Sequence, residues 1–324
     1  MKFRELKKSL GENLELIYLI EGEDAFLREN ALRLIKEKAL SEPDLNLTNF
    51  LGVDIKADAE ELLTAVQSYP FMSEKRYVVV RDYYPTAQEL KGKLLKKVFL
   101  EPSDTTCLII VNKDKSEALK KLETVTLVDC QKADDALIGG WVKSKTNEQG
   151  VTITQDALSL LIEYCNKDMA RISGEVEKLI CYVKSGGEIT TETINLLVGK
   201  DISYQVYEFT ECVAKRNYDK SFEMLSDMLN KNQDKQKLFI SIYYHFRRLL
   251  HVSISSLSTS ELAAALDTME FVVKKAKEQA SKFKVKRLKQ ICDKLGSYDV
   301  AFKSGEISVD TALWNSILNT ILAE

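Results

Sequence analysis

Proline is missing from the last two-thirds of the chain. All four prolines (Pro43, Pro70, Pro85, Pro102) fall within the first 102 of 324 residues. Proline lacks an amide donor and clashes with the preceding helical turn, so the stretch without it suits a long succession of helices. Histidine is scarce too. His245 and His251 are the two present; they lie six apart in one segment with no partnered carboxylate or cysteine cluster. They read as core or partly solvated side chains rather than catalytic groups or ligands. Cys107, Cys130, Cys165, Cys181, Cys212 and Cys292 are scattered, with no C-x-x-C pair. That is the pattern of reduced thiols in a cytoplasmic protein, not of disulfides or zinc sites. No apolar run approaches the roughly 20 residues of a membrane span, and the basic start Met1-Lys2-Phe3-Arg4 leads into no signal-peptide core. The expected compartment is the cytoplasm, with no membrane partner.

What is present is ordinary for a soluble globular protein: 45% hydrophobic and 29% charged residues,. The length allows two or three domains, each with its own core. A net charge of −3 argues against a surface given over wholly to nucleic acid. The charge is uneven, however, net positive from Asp201 onward and net negative before it,.

The front of the chain alternates apolar β-rich runs with helical periodicity. Strands are expected at Leu14–Ile20, Leu45–Leu51, Arg76–Arg81, Thr106–Val111 and Val125–Val128, with helices between them. Runs such as Val78-Val79-Val80 and Leu108-Ile109-Ile110-Val111 are apolar throughout, as in a parallel sheet covered on both faces. The fold class is therefore an α/β N-terminal domain with a parallel five-stranded sheet (residues 1–135). A small helical domain (136–203) and an all-α C-terminal domain (204–324) are expected to follow.

That layout, an α/β domain followed by a helical lid, is the layout of AAA+ ATPases. A phosphate-binding loop there needs G-x-x-x-x-G-K-[ST], so that backbone N–H groups and a lysine cradle the phosphates. The sequence reads Gly22-Glu23-Asp24-Ala25-Phe26-Leu27-Arg28, with one glycine, no lysine, and two carboxylates that would repel a nucleotide. Asp82 and Asn112 end strands where magnesium-binding and sensor residues would fall. Without the phosphate loop they read as polar residues at loop edges. No G-x-S-x-G, H-E-x-x-H or metal spacing occurs. No cofactor or metal is expected, and no catalysis by this chain.

Two candidate surfaces remain. Pro70 must end the helix that precedes it, and Phe71 and Met72 follow in a short turn fenced by polar neighbours. An apolar pair there is either tucked into the core or held out as a plug. The second surface is basic. Lys274, Lys275, Lys277, Lys282, Lys284, Lys286, Arg287 and Lys289 lie within sixteen residues, opposed only by Glu278. Lys282, Lys286 and Lys289 share one face if the helix is continuous, although Ser281–Val285 could hold a turn. This segment is either a solvated face or a salt-sensitive contact with DNA phosphates; no interleaved aromatic suggests base stacking.

Four stretches together carry a resemblance. They are Tyr18-Leu19-Ile20-Glu21-Gly22-Glu23-Asp24-Ala25-Phe26-Leu27; Tyr69-Pro70-Phe71-Met72-Ser73-Glu74-Lys75-Arg76 with the strand after it; Glu175-Val176-Glu177-Lys178-Leu179; and Asp299-Val300-Ala301-Phe302-Lys303-Ser304-Gly305. In this order they resemble the delta-subunit family of bacterial DNA polymerase III, part of the sliding-clamp loader. The resemblance implies a three-domain AAA+-like subunit that does not hydrolyse ATP, within a holoenzyme that is a DNA-directed DNA polymerase (a nucleotidyltransferase). It implies clamp binding (the beta subunit) through Phe71 with Pro70 or Met72 as the second contact, so the plug reading is taken. It further implies a collar in which the C-terminal helices meet the tau/gamma and delta prime subunits, around primer-template DNA. The competing readings are a degenerate AAA+ ATPase, which requires ATP affinity, and a DNA-binding scaffold acting through the basic helices.

Overall fold

The structure, a computed structural model, describes residues 1–39, 42–231, 234–266, 268 and 270–322. It divides into two compact units, one comprising Met1–Ile162 with Lys167–Leu196, the other Glu163–Asn166 with Leu197–Glu324.

In the first unit the elements run α1 (Phe3–Glu12), β1 (Ile17–Glu21), α2 (Ala25–Ala39), α3 (Pro43–Asn46), β2 (Leu47–Leu51), α4 (Gly52–Ala57), α5 (Ala59–Gln67), β3 (Arg76–Arg81), α6 (Lys93–Phe99), β4 (Thr106–Asn112), α7 (Glu117–Lys120) and β5 (Thr126–Asp129). Then come α8 (Asp135–Glu148), β6 (Thr152–Ile153), α9 (Gln155–Tyr164), α10 (Met169–Val183), β7 (Glu188–Ile189) and α11 (Thr191–Leu197). The first five strands form one parallel sheet in the order β2-β3-β4-β1-β5. β1 and β4 are buried along their whole length, which is why their sequences do not alternate. Ile17, Leu19, Val78, Val80, Leu108 and Ile110 pack against Leu62 and Val66 of α5 and against Val98 and Phe99 of α6. The outer edge of β5 is covered by the N-terminus: the Met1 ammonium donates to Leu127 O at 2.6 Å, and Asp129 N–H donates to Met1 O at 3.0 Å.

The five strands and their alternation with helices match the sequence expectation, although the first strand begins at Ile17 rather than Leu14, helix α4 was not expected, and further details differ. The second strand begins at Leu47 rather than Leu45, because Pro43 opens one helical turn in which the Leu45 and Asn46 amides both donate to Glu42 O. Proline suits that first helical position, where its missing donor has no partner to lose. Helix α1 was not anticipated. The two-residue strands β6 and β7, paired in parallel, are too short to show a period.

The second unit is helical: α12 (Ile202–Ala214), α13 (Tyr218–Lys231), α14 (Lys235–Ile254), α15 (Thr259–Ala265), α16 (Glu270–Ala280), α17 (Val285–Lys303) and α18 (Val309–Leu322). Leu238, Phe239, Ile242, Phe246 and Leu249 recur at helical spacing on α14 and are all buried. They make α14 the axis against which α12, α16, α17 and α18 pack. No helix among the described residues is long and apolar enough to cross a membrane.

Candidate functional site

The loop after β1 is closed upon itself. Gly22 has φ +145°, and a Cβ built there would lie 2.2 Å from the carbonyl carbon and oxygen of Cys130. Asp24 N–H donates to Cys130 O at 3.2 Å, Leu27 N–H donates to Asp24 Oδ1 at 3.0 Å, and the Arg28 guanidinium folds back onto Gly22 O. Donors that a phosphate loop would turn toward a ligand are engaged internally. Beside them Glu21 is buried; it accepts from Ser116 N–H at 3.1 Å and pairs with Lys120. Partial burial works against the Lys120 charge, but the Glu21 carboxylate outweighs it and holds the lysine above its ordinary pKa. Burial raises the Asp24 carboxyl, with the nearby Asp168 charge pushing the same way.

The two strand-end polar residues have different fates. Asp82 is exposed, with φ +54°, and fits the loop-edge reading. Asn112 is fully buried. Its Oδ1 accepts from Tyr83 N–H at 2.9 Å and its Nδ2 donates to Tyr83 O at 2.7 Å. A side chain held by both ends is not available to sense a ligand.

The turn between α5 and β3 is the opposite of closed. Tyr69 is 82% exposed, Phe71 53% and Met72 85%, whereas Pro70 is half-buried. Helix α5 ends at Ser68, whose hydroxyl donates to Thr64 O at 2.7 Å. Met72 sits at φ +48°, a left-handed conformation unusual for a residue with a Cβ. The backbone is nevertheless held. Asn46, fully buried, accepts from Phe71 N–H through Oδ1 at 2.7 Å and donates to Phe71 O through Nδ2 at 2.9 Å. Further on, the Ser73 hydroxyl donates to Lys75 O at 3.1 Å, the Lys75 ammonium reaches Asp104 O, and the Arg76 guanidinium donates to Thr48 Oγ1 at 2.8 Å. Phe71 and Met72 are thus apolar side chains presented to solvent on a braced turn. Sequence reasoning missed Asn46. No local pattern marks it, because its partner lies 25 residues away.

The basic segment is not one helix. Helix α16 ends at Ala280 and α17 starts at Val285, so Lys282 lies in the intervening turn while Lys286 and Lys289 lie on α17. Lys275 pairs with Glu163 at 2.8 Å and stands over the Tyr207 ring, and Lys282 pairs with Glu211. Burial opposes ionisation of Glu211, but Lys282 and Lys215 bring its pKa below the ordinary carboxylate value. Lys277 reaches Leu257 O and Thr259 Oγ1, each at 3.4 Å, and Arg287 stands over Phe283. Lys274, Lys286 and Lys289 are exposed, with no ion pair among the described residues.

Two sequence families cover most of the chain. Residues 18–131 match the family described as DNA polymerase III, delta subunit, and residues 203–320 match the DNA polymerase III delta subunit, C-terminal domain. The chain belongs to the DNA polymerase III delta subunit family. Among delta subunits, that of Bacillus subtilis (strain 168) is 24% identical over 314 residues, 90% of this chain and 88% of that protein. A probable delta subunit of Aquifex aeolicus is 23% identical over 233 residues, 67% of this chain and 64% of the relative. In structure, the clamp loader delta protein of Bacillus subtilis superposes with a TM-score of 0.75 at 20% identity, covering 98% of this chain and 99% of that one. The fold is accordingly that of a delta subunit, with its AAA+-like parallel sheet and helical C-terminal part. Asn46 and the Tyr69–Met72 turn fall inside the first delta-subunit match, and the basic helices fall inside the second.

Proposed function

We propose that this delta subunit binds the sliding clamp through Phe71 and Met72 and traps it open for loading onto primed DNA. The observation that carries this reading is the exposure of both side chains on a turn whose backbone is fixed. Moving either side chain from water into an apolar pocket contributes on the order of 1.5–3 kcal/mol. That is too little to break an unstrained ring interface. It is enough to select a conformer that is already strained open, provided the plug fits that conformer better than the closed one. Tyr69, more exposed than Phe71, belongs to the same apolar surface. Pro70 supports the turn rather than docking, since it is half-buried while Met72 is exposed.

The closed loop after β1 supports a subunit that leaves nucleotide hydrolysis to its neighbours. Residues 136–203 are read as the helical lid and 204–324 as the collar. Exposed Tyr244, Val300 and Trp314 on α14, α17 and α18 are the apolar side chains expected to meet the tau/gamma and delta prime subunits. Lys274, Lys286 and Lys289 are the basic residues best placed for primer-template DNA. The deciding experiment is a pull-down of the isolated chain against the organism's sliding clamp, with and without ATP. Binding without ATP, lost in the Phe71→Ala, Met72→Ala double variant, is the expected result. An unaltered interaction in that variant removes the turn from consideration.

A further inference from the structure

The side chain of Asn46 treats Phe71 as a neighbouring strand would, taking its N–H at 2.7 Å and supplying a donor to its C=O at 2.9 Å. Asn46 ends the single turn of α3, and its backbone N–H is already bonded to Glu42 O. The next residue of the turn, Met72, is held at φ +48°, a conformation that persists in a residue with a Cβ when its surroundings enforce it. A loop with large exposed apolar side chains would otherwise sample many conformations or fold back onto the surface, and each would have to be abandoned on docking. Buried polar groups are retained where their partners are satisfied, and a satisfied pair of hydrogen bonds on one residue fixes both its position and its direction.

We infer that Asn46 is a positioning residue for clamp docking: it presets the backbone of the plug so that Phe71 and Met72 meet the partner in their bound geometry. This rests on the clamp-docking reading and adds to it a residue that never touches the partner. Preorganisation raises affinity by removing the ordering that binding would otherwise require, and among variants of one interface such effects fall mainly on the dissociation rate.

Two measurements test it on the full chain. In the first, amide hydrogen exchange of the wild type should show Phe71 protected, despite its place on an exposed turn, while the neighbouring turn amides exchange fast. Exchange of the Phe71 amide at the unstructured rate overturns the inference without any variant being made. In the second, dissociation of the purified clamp is timed from immobilised wild type, Asn46→Ala and Asn46→Leu, the last keeping the forked shape of the side chain without its hydrogen-bonding groups. Both variants should release the clamp about tenfold faster and lose Phe71 protection, while protection of the β1 and β4 amides persists. Wild-type dissociation rates from variants that have lost Phe71 protection overturn the positioning role. Failure of the docking reading looks different: the wild type itself does not bind, or Phe71→Ala binds as well as the wild type.

Discussion

Asn112 and Tyr83 form a closed pair: the asparagine side chain accepts from the tyrosine N–H at 2.9 Å and donates to its carbonyl at 2.7 Å, with both residues buried. The pair ties the end of β4 to the segment after β3, and the Tyr83 ring stacks on Phe99 of α6 with centroids 6.3 Å apart. Asn46 and Phe71 repeat the same bonding pattern near the opposite ends of the strands, on a turn that is exposed. One asparagine ties two buried segments together at the ends of β3 and β4; the other braces the backbone of an exposed turn.

Asn112→Ala should therefore be a stability variant. It leaves the buried Tyr83 N–H and C=O without their partner, which costs on the order of 1–3 kcal/mol per group. Urea denaturation should show a lower midpoint with an unchanged slope, and clamp binding by the folded fraction should not alter. A midpoint equal to the wild type would mean that the two hydrogen bonds contribute nothing.

The Phe71→Ala, Met72→Ala double variant should behave in the reverse way. Both side chains are exposed, so the unfolding free energy should stay within the small range usual for surface substitutions, about 0.5 kcal/mol each. Clamp capture should fall by at least about tenfold, the effect of losing roughly 1.4 kcal/mol. Calorimetry alongside the pull-down separates the two quantities.

Gly22→Ala tests the closed loop. The added Cβ would sit 2.2 Å from the Cys130 carbonyl, where backbone and not a flexible side chain must give way. The substitution should destabilise by more than about 3 kcal/mol, beyond most point changes. Soluble expression and a denaturation curve report it; a stable Gly22→Ala chain would show that the loop has room to open.

His245 should make the helical unit sensitive to acid. Burial lowers its pKa to about 4, against the opposing effect of its 2.7 Å bond to Gln279 Oε1. Gln279 Nε2 donates to Tyr207 O at 3.1 Å, which leaves Oε1 to accept from a neutral His245 N–H. Because the unfolded chain takes up this proton near pH 6.5 and the folded chain only near 4, stability falls as pH drops through that interval and levels off below it. The loss attributable to this group is about 3 kcal/mol, from 1.36 kcal/mol per pKa unit. Subtracting the stability-versus-pH curve of His245→Phe from that of the wild type isolates it from the carboxylates; identical curves would contradict the assignment.

The basic helices divide into two groups with separate predictions. Lys286→Glu and Lys289→Glu should weaken binding of primed DNA by the assembled loader and reduce its salt slope by about one for each phosphate no longer neutralised. Lys275 and Lys282 are already paired with Glu163 and Glu211, so replacing them should affect the stability of the helical unit more than DNA binding. Titrations at two salt concentrations distinguish the groups.

Composition and periodicity determined the broad architecture of this protein. Strands that are apolar throughout suit a covered parallel sheet, and a proline-free stretch of amphipathic segments suits a stack of helices. The missing phosphate loop was equally plain, since glycines and a lysine are either present or not. The apolar turn was visible as a stretch, but whether Phe71 and Met72 faced core or solvent was not, because the same residues serve either purpose. The tertiary structure decided that: both side chains are exposed, on a turn whose backbone Asn46 bonds. It also matched two charges of the lysine-rich segment with Glu163 and Glu211, so that adjacent lysines lost their equivalence. Local sequence carries propensity and pattern within a few residues of each position. A hydrogen bond between residues 46 and 71, or an ion pair between 163 and 275, exists only once the fold has brought distant parts of the chain together.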